Sequence, residues 1–561
     1  VPAFPALSRA ESLSDYSTSS AKRKTGDSIM HRIRARFGLF SVVVCFRALL
    51  FSACIGGGVF AARLVRPFES DTRFVPVNRI DELVLASLRE AGISPAHLCS
   101  DEVFVRRAYL DVTGTLPSAM EVRGFLADRR PDKRAALIEA LMNREEFAEY
   151  WALKWCDILR VKAEFPINLW PNGVQAYHQW IRDCIRQNLP YDQVVRDLLT
   201  SSGSNFRVPA VNFYRALQGH EPSALAAAVA LTFMGARIER WPDAQRVGLE
   251  AFFSRVAYKG TAEWKEEIVM LDPAPAAPLT AVFPDGRAVR IPPGTDPRQV
   301  FAEWLIASDN PWFSRTIVNR IWFWLLGRGV IHEPDDIRPD NPPSNPALLA
   351  YLEQELVNTH YDLRHVYRLI LNSRTYQQSS IPQSTDARVR DLFGVYPVRQ
   401  LDAEVLVDAL CGIFGPGEEY SSAIPEPFTF IPESNRTIAL ADGSITSQFL
   451  EMFGRPPRDT GFISERNSVP TDAQRLHMLN STHIQRKIES SWAIRRLIKI
   501  ANRRPPAVIH GAYLNILSRM PTNEEVAVAT AYFDDNGKNL NQHVADLAWA
   551  LINTTEFLCR H

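Results

Sequence analysis

Residues 108–122 read AYLDVTGTLPSAMEV, and residues 512–526 read AYLNILSRMPTNEEV. The two stretches align without a gap. In each, Tyr and Leu sit on a packing helix and Pro turns the chain. Ser118 or Thr522 then opens the next helix, with Glu121 or Glu525 three residues on. That spacing is a capping box: the hydroxyl accepts the N3 amide and the carboxylate reaches back to the cap amide. Each copy also closes alike, with Ala140-Leu141-Met142-Asn143 before Phe147 and Ala550-Leu551-Ile552-Asn553 before Phe557. Leu369-Ile370-Leu371-Asn372 before Tyr376 is a third, partial copy. Asn suits a helix C-terminus because it tolerates left-handed backbone. A small helical unit is therefore used at both ends of the chain.

Working outward, helical periodicity dominates and the fold class reads as mainly α. Ile80–Ala91, Phe104–Val112, Arg134–Met142 and Glu146–Leu159 carry the pattern in the first half. Phe313–Leu326 carries it in the second, ended by Gly327 and Gly329. Asn345 and Pro346 start a further helix as N-cap and first turn, and Leu401–Leu410 is another. A different texture lies between the halves. Ile268–Leu271 is strand-like, and Thr280–Phe283 and Ala288–Ile291 flank a Pro-Asp-Gly turn, which predicts a β-hairpin. The expected organisation is a helical domain over 75–265, a hairpin junction over 266–295, and a second helical domain over 296–490 with a long loop at 415–446. A C-terminal repeat unit follows over 491–561.

The chain has 561 residues, too many for one ordinary domain. With 46% hydrophobic residues and 30 Phe it is too apolar to be mostly disordered. Its 63 basic and 63 acidic side chains cancel, so no global basic field invites nucleic acid. Residues 1–29 read as disordered or as an upstream extension, with Met30 as a start. Arg32, Arg34 and Arg36 precede an apolar run over 39–62, the pattern of an export signal, cleaved or kept as an anchor. The expected location is the periplasm or cell envelope, with membrane contact only through 39–62. Beyond that run, Cys99, Cys156, Cys184, Cys411 and Cys559 are scattered, with no CxxC pair. They form no zinc knuckle and no CxxCH haem attachment.

Several clusters are candidates for chemistry. His332, Glu333, Asp335 and Asp336 place four metal-ligand types within five residues, but match no EF-hand or HExxH spacing. The folding reading is a solvated acidic loop paired with Arg328 or Arg338. Arg455, Arg458, Asp459, Glu465 and Arg466 surround Pro456-Pro457. Guanidinium groups hold oxyanions bidentately, so this loop could bind an anionic or sugar substrate; the folding reading is a buried ion-pair network pinning the loop. His477 and His483 flank a turn at Asn480-Ser481-Thr482 and could converge; the folding reading, which is favoured, is a pair of satisfied helix-end histidines. Trp170, Asn172, Tyr177, His178 and Trp180 suit sugar stacking and hydrogen bonding, or simple helix packing. GxSxG, Walker A and dinucleotide fingerprints are absent from the sequence.

Ile80–Val161, with AYLDVTGTLPS and LMNREEFAEYW, resembles the planctomycete cytochrome c-associated domain of a planctomycete and verrucomicrobial family. Asp296–Glu489 resembles the planctomycete-specific domain that follows it, through NPWFSRTIVNRIWFWLLGRG, PDDIRPDNPPSNPALL, LDAEVLVDAL, FGRPPRDTG and SERNSVPTDAQRLHMLNSTHIQRKI. The resemblance implies relatives with a fused cytochrome c domain and an internal CxxCH. Here that internal position reads Met234–Pro242 and holds no cysteine, so no c-type haem can be attached there.

Three functions fit these features. The first is an exported ligand-binding or assembly module of the cell envelope, with a glycan or envelope protein as partner. The second is an enzyme acting on polysaccharide-derived material, in which Asp335, Arg458, Glu465 and His477 share one pocket, with Asp336 and Asp459 beside them. The third is a subunit docking a separate cytochrome c-type carrier. No cofactor is called for, and a divalent metal rests only on the His332 loop.

Overall fold

Ser118 and Thr522 each open a helix through the expected capping box, over Ala119–Ala127 and Asn523–Phe533. The computed structural model describes residues 64–561, apart from 274–276, 426–427, 430, 432–434 and 535–538. The segment 39–62, expected to be an export signal or anchor, lies outside the described residues. The fold is mainly α.

The two copies share more than caps. Arg144 lies over the Tyr109 ring and pairs with Glu121; Arg519 lies over Tyr513 and pairs with Glu525. A guanidinium on a ring face gains from the ring quadrupole, so one device locks both units. The copies also touch. Buried Arg106 donates to Ile516 O at 2.9 Å and to Phe557 O at 3.1 Å. These carbonyls stand near helix ends, where intrahelical partners run out.

One expectation is corrected here. Asn143, Asn372 and Asn553 do end their helices, but with φ of −93°, −82° and −92°, not left-handed. Their side-chain amides instead donate to the carbonyl four residues back, at 2.9, 2.9 and 2.8 Å. Asn thus serves as a donor to an orphan helix carbonyl. The aromatic that follows in each case, Phe147, Tyr376 or Phe557, is fully buried.

Gly327 ends Phe313–Leu326 with φ 71°, and Asn345 caps Pro346–Asn358 through Leu348 N. The hairpin pairs Leu279–Val282 with Ala288–Ile291. The strand Glu267–Leu271 is central in a three-stranded sheet, between Val256–Gly260 and Gly203–Ser204. A last pair, Arg399–Gln400 with Cys559–Arg560, brings the last residues of the chain into the interior. Leu64–His561 form one compact unit, and one apolar core runs from Ile80 to Phe557. The 75–265 and 296–490 segments share it. Among the described residues no helix is long and apolar enough to cross a membrane. Cys99, Cys156, Cys184, Cys411 and Cys559 are free thiols.

Candidate functional site

Lys154 and Asp157 stand one turn apart on the helix Glu145–Ile158, in an otherwise apolar stretch. Such charges are tolerated inside only when paired. Lys154 Nζ meets Asp402 Oδ2 at 2.8 Å, and Arg560 Nη2 meets the same oxygen at 2.9 Å. Arg560 Nε then reaches Asp111 at 3.0 Å, whose other oxygen accepts the hydroxyls of Tyr376 and Tyr396. On the other side, Asp157 receives Arg458 Nε at 2.9 Å and Arg466 Nη2 at 2.7 Å. Arg466 also binds Glu404 at 2.6 Å, and Arg455 reaches that carboxylate at 3.3 Å. The result is one continuous buried network of four carboxylates.

The electrostatics follow from this packing. Burial opposes ionisation of Glu404, but Arg466 and Arg455 outweigh it and hold the acid at about 2. Asp402 is likewise held well below the usual carboxylate range, by Lys154, Arg560 and Arg466 against burial. Burial lowers Lys154 to about 8 despite Asp402. Burial pushes the Cys156 thiol up to about 12.

The loop 458–466 is clamped onto this network from the first segment. Arg160 Nε donates to Thr460 O at 2.9 Å, Lys162 pairs with Asp459 at 2.7 Å, and the Arg237 guanidinium covers the Phe462 ring. Gly461 comes so close that a Cβ would stand 2.7 Å from Ile158 O. Arg160 and Arg458 both take positive φ, 59° and 60°. Strained non-glycine backbone persists only where surrounding contacts over-determine it. Among the described residues, buried Arg160 Nη1, Arg458 Nη2, Tyr177 Oη and His178 Nε2 find no hydrogen-bond partner.

The residues singled out from sequence are placed as follows. Asp335 is buried, paired with Arg320 at 2.8 Å, and its second oxygen accepts Ile463 N at 2.6 Å. It therefore belongs to the loop clamp and not to a solvated acidic loop. Asp336 pairs with Arg338 at 3.0 Å, while His332 and Glu333 are exposed and 3.7 Å apart. Among the described residues no group of three or more His, Cys, Asp or Glu could hold a metal ion. Glu465 accepts Thr460 N at 2.6 Å, and burial raises its pKa. Asp335, Arg458, Asp459 and Glu465 are thus gathered around one loop.

His477 keeps other company. Its Nε2 lies 3.4 Å from His483 Nδ1, and His483 Nε2 lies 3.0 Å from Glu418. The two imidazoles converge because Ser481 breaks the helix and caps the next. Trp170 packs on Phe428 at 5.5 Å and Asn172 is exposed. His178 is buried, and burial with nearby Arg458 and Arg182 lowers its pKa to about 3.

A surface pocket of about 490 Å³ sits at the edge of the three-stranded sheet. It is lined by Asn168, Arg215, Trp264, Glu263 and Glu267 among others. Trp264 is 70% exposed, with the Lys265 ammonium 5.4 Å from its ring centroid. Arg215 and Glu267 pair at 2.7 Å, and Glu266 accepts the Ser204 and Thr261 hydroxyls. Sequence reading missed Trp264, and it also missed the acids that anchor the arginines. The signal for the acids was present: Asp157 and Glu404 interrupt apolar helical runs, as Lys154 does, and Asp402 stands just before one.

The fold and this network define a mainly helical protein whose front and back segments interlock through buried charge. Residues 79–239 match the PSCyt2 family and residues 297–533 match the PSD1 family, described as proteins of unknown function (DUF1549 and DUF1553). The chain belongs to the two-domain planctomycete family that carries them in this order. No curated protein and no solved structure matches the chain.

Proposed function

We propose that the protein is a carbohydrate-binding module of the cell envelope. The carrying observation is the Trp264 pocket. An indole face largely in solvent, beside an amide, a guanidinium and carboxylates, suits a sugar ring: the apolar ring face stacks and the hydroxyls find partners. The binding reading is favoured over the catalytic one by the state of the nominated acids. Asp335 is engaged by Arg320, Asp459 by Lys162 and Glu465 by Thr460. A general acid or base must reach a substrate proton, and these groups are committed to holding the loop. Calorimetric titration of the full chain with neutral gluco-, xylo- and galacto-oligosaccharides tests the proposal. Saturable binding that Trp264→Ala abolishes is the expected result. Absence of binding across the series, or binding unchanged in the variant, overturns it.

A further inference from the structure

A second cavity, of about 480 Å³, lies between the start of the described chain and the first two helical hairpins. Its chemistry is unlike that of the Trp264 pocket. Arg66, Arg130, Lys133, Arg134 and Arg374 line it, against Asp101 and Glu102. Five cations face two lining carboxylates there, and Asp128 and Asp71 pair with Arg130 and Arg66 from outside the lining.

Asp128 neutralises Arg130 at 2.7 Å, so the excess positive charge rests on Arg66 and Arg374. Asp101 is consumed by Lys133 at 2.7 Å and Arg134 at 2.9 Å. Among the described residues Arg66 pairs with Asp71 alone, at 3.9 Å, with both side chains in solvent. Arg374 is half-buried, and among the described residues it has no carboxylate within ion-pair distance; its guanidinium bonds Gln377 at 3.3 Å. Burial, and to a lesser degree the Arg134 charge, lower the Arg374 pKa, with Asp81 acting against them. Hydroxyls complete the wall. Ser70 donates to Thr72 at 3.0 Å, which leaves the Thr72 proton free to point elsewhere. Ser100 accepts Val103 N as a helix cap, and its own proton is likewise free.

We propose that this cavity binds an oxyanion-bearing ligand, a sulfate or phosphate group either free or as a monoester. Arg66 and Arg374 supply planar guanidinium forks that match two oxyanion oxygens at once, and Thr72 and Ser100 supply hydroxyl donors. The positive excess at the cavity selects charge, while the hydroxyls select an acceptor. The inference stands apart from the sugar reading, because it uses no residue of the Trp264 pocket.

The test is calorimetric titration of the full chain, at ionic strength matched with sodium chloride. The probes are sodium sulfate, sodium phosphate, glucose 6-sulfate and glucose 6-phosphate, with glucose as the uncharged control. The expected result is saturable oxyanion binding that weakens at least tenfold in Arg374→Gln and further in Arg66→Gln/Arg374→Gln. Arg374→Lys, which keeps the charge, retains part of the affinity and controls for folding together with the melting temperature. Tighter binding of the esters assigns the site to a monoester; equal binding assigns it to the free ion. Absence of oxyanion binding, or binding unchanged in the double variant, overturns the proposal. Loss of neutral-oligosaccharide binding at Trp264 would leave it standing.

Discussion

Arg458 and Asp157 lie 301 positions apart in the chain and meet at 2.9 Å, the arginine with no exposed surface at all. Asp157 comes from the segment matched by one family and Arg458 from the segment matched by the other. The pair ties the two segments together, and Asp157 simultaneously holds Arg466. Removing one member of a buried pair leaves an uncompensated charge. Asp157→Asn is expected to cost about 3–5 kcal/mol. Asp157→Leu combined with Arg458→Met should cost less than the sum of the single changes. Urea denaturation of the four proteins measures the coupling; strict additivity would show that the pair contributes nothing beyond its separate groups.

The helix-ending asparagines give a sharper test of backbone geometry. If Asn553 were left-handed, glycine would be favoured there. At φ −92°, with its amide on Trp549 O, it is not. Asn553→Ala should lose about 0.5–1.5 kcal/mol, the worth of one hydrogen bond. Asn553→Gly should be no more stable than the alanine variant, since glycine gains nothing at this φ and adds unfolded-state entropy. A glycine variant more stable than wild type would contradict the assignment.

Capping should behave as a shared property of the two units. Ser118→Ala and Thr522→Ala each remove the hydroxyl that accepts the N3 amide, while the cap residue's own backbone amide still reaches Glu121 or Glu525. Each should cost roughly 1 kcal/mol. Thermal melts of the two variants should fall by similar amounts. A large cost at one site and none at the other would break the structural equivalence of the copies.

Acid sensitivity should be traceable to His178. Burial, Arg458 and Arg182 hold its pKa at about 3, below the ordinary 6.5. A depressed folded pKa means that the neutral ring is favoured in the fold. Its contribution is therefore present above pH 6.5 and is lost as pH falls toward 3. Relative to His178→Gln, wild type should lose up to about 1.4 kcal/mol per pH unit between pH 6.5 and about pH 3. Denaturant midpoints at pH 7, 6, 5 and 4 give the slope; a flat difference would mean that the imidazole titrates normally.

Much of the local structure was legible before any coordinates. Ser118 and Glu121, Asn345 and Pro346, Gly327, and the Pro-Asp-Gly turn act within a few residues, so spacing suffices to read them. The repeat was legible too, because both copies use the same local devices. What Asn143 and Asn553 do was misread, since residue type restricts backbone choice without deciding it.

The candidate site divides along the same physical line. Residue type alone marked Arg455, Arg458, Asp459, Glu465 and Arg466 as a charged loop that must be satisfied somewhere. It could not name Asp157, Glu404 or Asp335 as partners, nor separate His477 from the loop. Sequence by itself determined helices, caps, turns, the repeat and the absence of a haem attachment motif, because these depend on near neighbours along the chain. Only the tertiary structure decided which charges pair, which acids are spent on holding a loop, and that Trp264 and Arg374 each line a cavity. Those outcomes depend on burial and on contacts across hundreds of residues, and the free energy of a charge is set by what surrounds it in space.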